Sequence, residues 1–144
     1  MRNIKKIIVH CTDTLPTATV ADLMEIFRRN GWKNPGYHRV VNAQGSVVSL
    51  LDDEQIANGV RGHNTEAIHI AYIGGKTFIG ANPSDTRTAE QANSINRTIH
   101  DLLVKYPAAK LMGHCELNPH KACPCYNVKE SYALWRANNI SSTS

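Results

Sequence analysis

No stretch of the sequence comes close to the roughly 20 apolar residues that a membrane-spanning helix requires, so membrane insertion is not expected. The amino-terminal stretch MRNIKKIIVHCTD is basic. Its apolar run is only Ile7-Ile8-Val9, too short for the core of a signal peptide. The expectation is a protein made and folded in the cytoplasm, which meets an outside target only if something else releases it. Internal repeats and low-complexity linkers are missing. No long Lys/Arg block exists, and few of the scarce aromatics, 6% of residues, lie among basic ones, so nucleic acid is not expected as a partner. There is no G-x-S-x-G motif, the mark of one large class of serine hydrolases. The four cysteines never form the paired C-x2-C spacing of closed structural zinc sites. Without an export signal, two disulfides are not expected either.

What is present fits one globular domain. A chain of 144 residues can bury a real core. Its composition, 42% hydrophobic and 19% charged, is ordinary for such a domain, and one compact domain suggests a monomer. The net charge of +4, with a pI near 9.0, suits an anionic partner such as nucleic acid or bacterial cell wall, and equally suits plain solubility. The last residues, NNISSTS, read as a loose tail, which sets the expected domain at 1–138 and the tail at 139–144.

The order of elements is legible. Residues 4–10, IKKIIVH, form a β-branched run that predicts a buried strand. Thr19 caps a helix from Val20 to about Asn30, with Leu23, Ile26 and Phe27 on its apolar stripe and Gly31 at its stop. YHRVV and SVVSL predict two strands joined by the turn NAQG. LDDEQIANGVRGHNTEA is a long polar loop of the kind that often carries function. IHIAYIGG predicts a central strand. Thr88 and Gln91 form a capping box for a helix to about Tyr106, with Ala92, Ile95, Ile99, Leu102 and Leu103 on one face. AKLMGH is a last strand, and Asn127 caps a final helix carrying Val128, Tyr132 and Trp135. Strands alternating with helices around one hairpin give an α/β (α+β) fold: a mixed central sheet flanked by about three helices.

One stretch concentrates the chemistry. GHCELNPHKACPCY, residues 113–126, holds two histidines, three of the four cysteines and a lysine. It admits three readings: a disulfide corner, a structural zinc knuckle, or part of a catalytic zinc site. The third needs three protein ligands and one open position. His114 at a strand end and Cys123 nine residues on could supply two of them, and His10, at the end of the first strand, is a candidate third. Taken alone, a histidine after a buried strand is more often structural than a ligand.

The segments IIVHCTDT, GWKNPGYHRVV, IHIAYIGG and GHCEL with HKACP, in this order and at these intervals, resemble the zinc-dependent N-acetylmuramoyl-L-alanine amidases. That family includes phage lysozymes with amidase activity and peptidoglycan recognition proteins. The resemblance covers residues 4–128 and implies several things. Zn2+ would be held by His10, His114 and Cys123. Tyr37 and Lys121 would stand beside it as catalytic groups that stabilise an oxyanion. The implied substrate is bacterial peptidoglycan, cut between the lactyl group of N-acetylmuramic acid and L-alanine, as in a phage endolysin or in recycling of imported wall fragments. The loop before the central strand would meet substrate through Arg61, His63 and Asn64.

Other positions carry structural expectations. Strand alternation would send Tyr37 and His38 to opposite faces, leaving His38 structural. Cys115 would point away from the metal, because it follows His114 on an extended segment. Cys11 would pack as a small apolar residue. Family members often have glycine where this chain has His69, which would either pack within the strand or narrow the cleft, with packing the expectation. The alternative function is a binding module, since some relatives bind peptidoglycan without cutting it and typically lack the metal-binding cysteine. Cys123 argues for the enzyme.

Overall fold

The computed structural model describes residues 2–140. Five strands form one mixed sheet in the order β3-β2-β4-β1-β5. The strands are β1 (Lys6–Cys11), β2 (Arg39–Val41), β3 (Val47–Ser49), β4 (Ala67–Tyr72) and β5 (Lys110–Gly113). The helices are α1 (Val20–Arg29), α2 (Ala89–Lys105) and α3 (Val128–Asn139), with a 3-10 turn at His114–Glu116. β1 lies parallel to both β4 and β5, β2 is parallel to β4, and only the β2–β3 hairpin is antiparallel. The sheet and three helices match the expected fold class, and IHIAYIGG supplies the middle strand. Of the expected tail, Asn139 ends α3 and Ile140 caps it; residues 141–144 lie outside the described residues.

Local signals explain the helix starts. Thr19 and Asp22 exchange side-chain and backbone hydrogen bonds in a capping box, and Thr88 and Gln91 do the same for α2. Asn127 accepts from the Glu130 backbone N–H at the start of α3. Gly31, with φ +75, takes the left-handed conformation that follows the α1 cap. The α1 stripe is narrower than expected: Leu23 and Phe27 are buried, but Ile26 is 37% exposed, because only one edge of this short helix reaches the sheet.

The strands are buried on both faces, which sorts their side chains by alternation. One face carries Ile7, Val9, Cys11, Ile68, Ile70 and Tyr72, packed against Ile95, Ile99 and Leu102 of α2 and Val128 of α3. The other face carries Ile8, Ala67, Ala71 and Val40, covered by α1 and by Val60 of the long loop. That second face also carries buried polar side chains. His10, His38 and His69 are each at most 1% exposed.

The long loop between β3 and β4 is fastened from the amino terminus. The Arg2 guanidinium donates to the backbone carbonyls of Asp53, Gln55, Asn64, Thr65 and Ala67 at 2.7–3.2 Å. This ties the wall of the site to the start of the chain.

Candidate active site

Two strand ends and one loop build the site. In the parallel pairing of β1 with β5, Val9 lies opposite Gly113, so His10 and His114 leave the sheet side by side. Their Nδ1 atoms face each other at 3.2 Å. Cys123 approaches from the loop after β5, and its Sγ accepts the Cys11 backbone N–H at 3.1 Å. One donor atom from each of His10, His114 and Cys123 lies within 4.8 Å of the other two.

This triangle fits a zinc ion. Zn–N bonds of about 2.0–2.1 Å in a tetrahedron place two nitrogens about 3.3 Å apart, close to the observed spacing. A ligand imidazole must be neutral, and burial, followed by the charges of His69 and His114, lowers the His10 pKa well below the usual histidine value. Burial and then the Lys121 ammonium lower His114 in the same direction. The hydrogen bond with the Cys11 thiol and then burial raise the Cys123 thiol, so its proton leaves when a cation takes the proton's place. Two nitrogens and one sulfur leave one tetrahedral position for water or substrate.

The triangle lies in a cleft of about 650 Å³. Tyr37 lines it with its ring 5.1 Å from that of His10, and Phe27 meets the Tyr37 ring edge-on at 5.7 Å. Burial, then the neighbouring Cys123, raises the Tyr37 phenol far above its ordinary value, so it is a hydrogen-bond donor at any working pH. Lys121 is exposed on the cleft rim. Arg61, His63 and Asn64 also line the cleft. Two of these are already engaged: Asn64 Oδ1 accepts from the Val60 backbone N–H at 2.8 Å, and His63 Nδ1 faces Lys6 Nζ at 3.0 Å. Arg61 is exposed.

Two expectations change. Cys115 lies in a 3-10 turn, not an extended segment; its backbone N–H donates to the Cys123 carbonyl, and it is not among the clustered donors. The alternation expected of Tyr37 and His38 does not operate, because β2 begins only at Arg39. Both rings reach the same group: Tyr37 meets His10, and His38 stacks parallel to His69 at 6.0 Å. His38 is nonetheless structural, receiving the His69 backbone N–H on Nδ1 at 3.0 Å and facing the Gln55 carbonyl through Nε2 at 2.8 Å.

For His69 the sequence favours packing over a place in the cleft. It is fully buried, and its Nδ1 lies 2.8 Å from His10 Nε2. Burial lowers its pKa to about 3. A histidine inside an otherwise apolar strand was the signal available. Trp32, stacked on Phe27 at 5.8 Å and 39% exposed, forms part of the cleft wall and also went unread.

Comparison with known proteins shows the family of this chain. The endolysin of Klebsiella phage KP32 is 29% identical over 137 residues, spanning 94% of this chain and 87% of its own. The endolysin of Escherichia phage T7 is 29% identical over 136 residues, spanning 93% and 87%. Among solved structures, the Ph2119 endolysin of a Thermus scotoductus bacteriophage superposes with a TM-score of 0.78 at 24% identity, covering 94% of this chain and 86% of that one. Drosophila PGRP-LB gives 0.72 at 17% identity, covering 99% and 88%. These two likenesses show the fold. The family model described as N-acetylmuramoyl-L-alanine amidase matches residues 1–126. With the fold shared and the match running from before β1 to beyond Cys123, the chain belongs to the N-acetylmuramoyl-L-alanine amidase family.

Proposed function

We propose that this protein is a phage-type, zinc-dependent peptidoglycan amidase. It hydrolyses the amide between the lactyl group of N-acetylmuramic acid and the L-alanine of the stem peptide. One observation carries the reading: His10, His114 and Cys123 converge in an open cleft of a chain that belongs to the amidase family. A module that only bound the wall would have no use for a complete ligand set with a free coordination position.

The chain's own groups have definite tasks. His10, His114 and Cys123 hold the ion. When bound, zinc supplies Lewis acidity to the scissile carbonyl and acidifies water near neutral pH. Tyr37 donates its phenolic hydrogen toward the oxygen that gains negative charge as the carbonyl becomes tetrahedral. Lys121, on the rim, adds a positive charge on the same side. The cleft wall formed by Trp32, Arg61, His63 and Asn64 receives the glycan and peptide arms. Among the described residues, no helix is long and apolar enough to cross a membrane.

The test is digestion of purified peptidoglycan. The protein should carry about one zinc ion per chain, as one ligand triangle predicts, and expose new L-alanine amino termini. A chelator should stop this and added zinc restore it. Zinc held without new L-alanine amino termini would sink the enzyme reading and leave a wall-binding module.

A further inference from the structure

We infer that His69 is a positioning residue for the metal centre, fixing the tautomer and orientation of His10 through an imidazole–imidazole hydrogen bond. The inference rests on His10 being a zinc ligand, as argued above.

Three observations carry it. First, the geometry assigns the protons. His10 presents Nδ1 to His114 and Cys123, so a neutral His10 bound to metal keeps its proton on Nε2. That nitrogen lies 2.8 Å from His69 Nδ1, which must then accept. A metal-bound histidine is generally oriented by an acceptor on its other nitrogen, usually a carboxylate or carbonyl. Here the acceptor is a second neutral imidazole.

Second, His69 bears a cost that packing alone would not require. Accepting on Nδ1 puts its own proton on Nε2, a buried atom with no hydrogen-bond partner among the described residues. Buried donors without partners are penalised. An aliphatic side chain would fill the position without that penalty, as Ile68 and Ile70 do on either side.

Third, the surroundings are shaped to this ring. A Cβ added to Gly59 would lie 2.2 Å from His69 Nδ1 and 2.5 Å from two of its ring carbons. The loop therefore passes flat against the imidazole only because residue 59 has no side chain. Behind it, His38 grips the His69 backbone on both sides, receiving its N–H at 3.0 Å and donating its own N–H to the His69 carbonyl at 2.9 Å. The parallel His38 ring closes the stack. His10, His69 and His38 thus form a row of three imidazoles that ends on the Gln55 carbonyl.

The experiment compares zinc affinity, by competition with a chromogenic chelator, in the unmutated protein, His69→Leu and His69→Asn. His69→Leu keeps the volume and removes the acceptor. His69→Asn places an amide oxygen near the position of Nδ1. Loss of such a supporting partner typically weakens metal binding roughly 10–100-fold, and that loss is expected for His69→Leu, with urea unfolding showing a folded chain. His69→Asn should restore affinity to within about threefold, a small part of that range. Unchanged affinity in His69→Leu, or equal losses in both variants, overturns the inference. If His69→Leu fails to fold, nitrogen-15 NMR of the zinc-loaded unmutated protein decides. A bare His69 Nδ1 with the proton on Nε2 supports the inference, and a proton on Nδ1 overturns it. Failure of the unmutated protein to bind zinc overturns the metal reading itself, and this inference with it.

Discussion

The Tyr72 hydroxyl donates to the Pro124 carbonyl at 2.7 Å, joining the middle strand of the sheet to the loop that presents Cys123. The residue after the thiol-bearing cysteine is therefore anchored in the core. The Arg87 guanidinium, 3.3 Å from the centre of the Tyr126 ring, holds the same loop from outside. Tyr72→Phe should destabilise the protein by about 1–3 kcal/mol, because it strands a buried carbonyl. It should also weaken zinc binding more than an equal destabilisation placed far from the loop. Urea unfolding and chelator competition check both; an unchanged urea midpoint would show that the bond does not hold the loop.

Replacing Tyr37 by Phe should separate metal binding from catalysis. The ring still fits against Phe27 and beside His10, so zinc content and stability should hold. Losing one oxyanion donor typically costs roughly 10²–10³-fold in kcat. A drop in kcat with unchanged zinc content is the expected result. Full activity in Tyr37→Phe would remove the phenol from the mechanism.

Cys123→Ser should lose the ion, while Cys115→Ser and Cys125→Ser should keep it. Only Cys123 has its sulfur grouped with His10 and His114. Zinc content of the three purified variants after desalting is the measurement. Loss of zinc from Cys115→Ser or Cys125→Ser, but not from Cys123→Ser, would mean a different ligand set.

Acid should unfold the metal-free protein early. Burial lowers His38 to about 4 and His69 to about 3, against an ordinary value of 6.5. Below pH 6.5 the unfolded chain takes protons that the folded chain refuses. The stability from keeping these rings neutral is complete above pH 6.5 and falls as pH drops, until the folded rings also protonate. Each ring contributes a slope of up to about 1.4 kcal/mol per pH unit. Urea midpoints at pH 7.5 should exceed those at pH 5 by a clear margin; equal midpoints would contradict the burial of neutral imidazoles.

Much of this was legible in the residue order, and the parts that were not have physical reasons. The capping pairs Thr19–Asp22 and Thr88–Gln91 are local, so sequence reveals them. β1 and β4 announce themselves by β-branched runs. His10, His114 and Cys123 are candidate ligands by their strand-end and loop positions, the resemblance of their motifs points to the same three, and the sheet order is what brings two of those positions side by side. His69 shows the limit. Its burial follows from the strand around it, but its contact with His10 depends on β4 lying beside β1, with His69 opposite Ile8. No periodicity carries that adjacency. Tyr37 and His38 misled because alternation applies only where a strand exists, and that strand starts two residues after Tyr37, at Arg39.

The parallel pairing of β1 with β5 also sets a schedule. The donors meet only after the last strand has docked beside the first, a separation of 104 residues between His10 and His114. A ribosome making this chain releases His10 long before His114 and Cys123, so until those two emerge there is no centre to fill. The site stays chemically silent until that long-range strand pairing is made, and any metal it takes up would report that the pairing is complete.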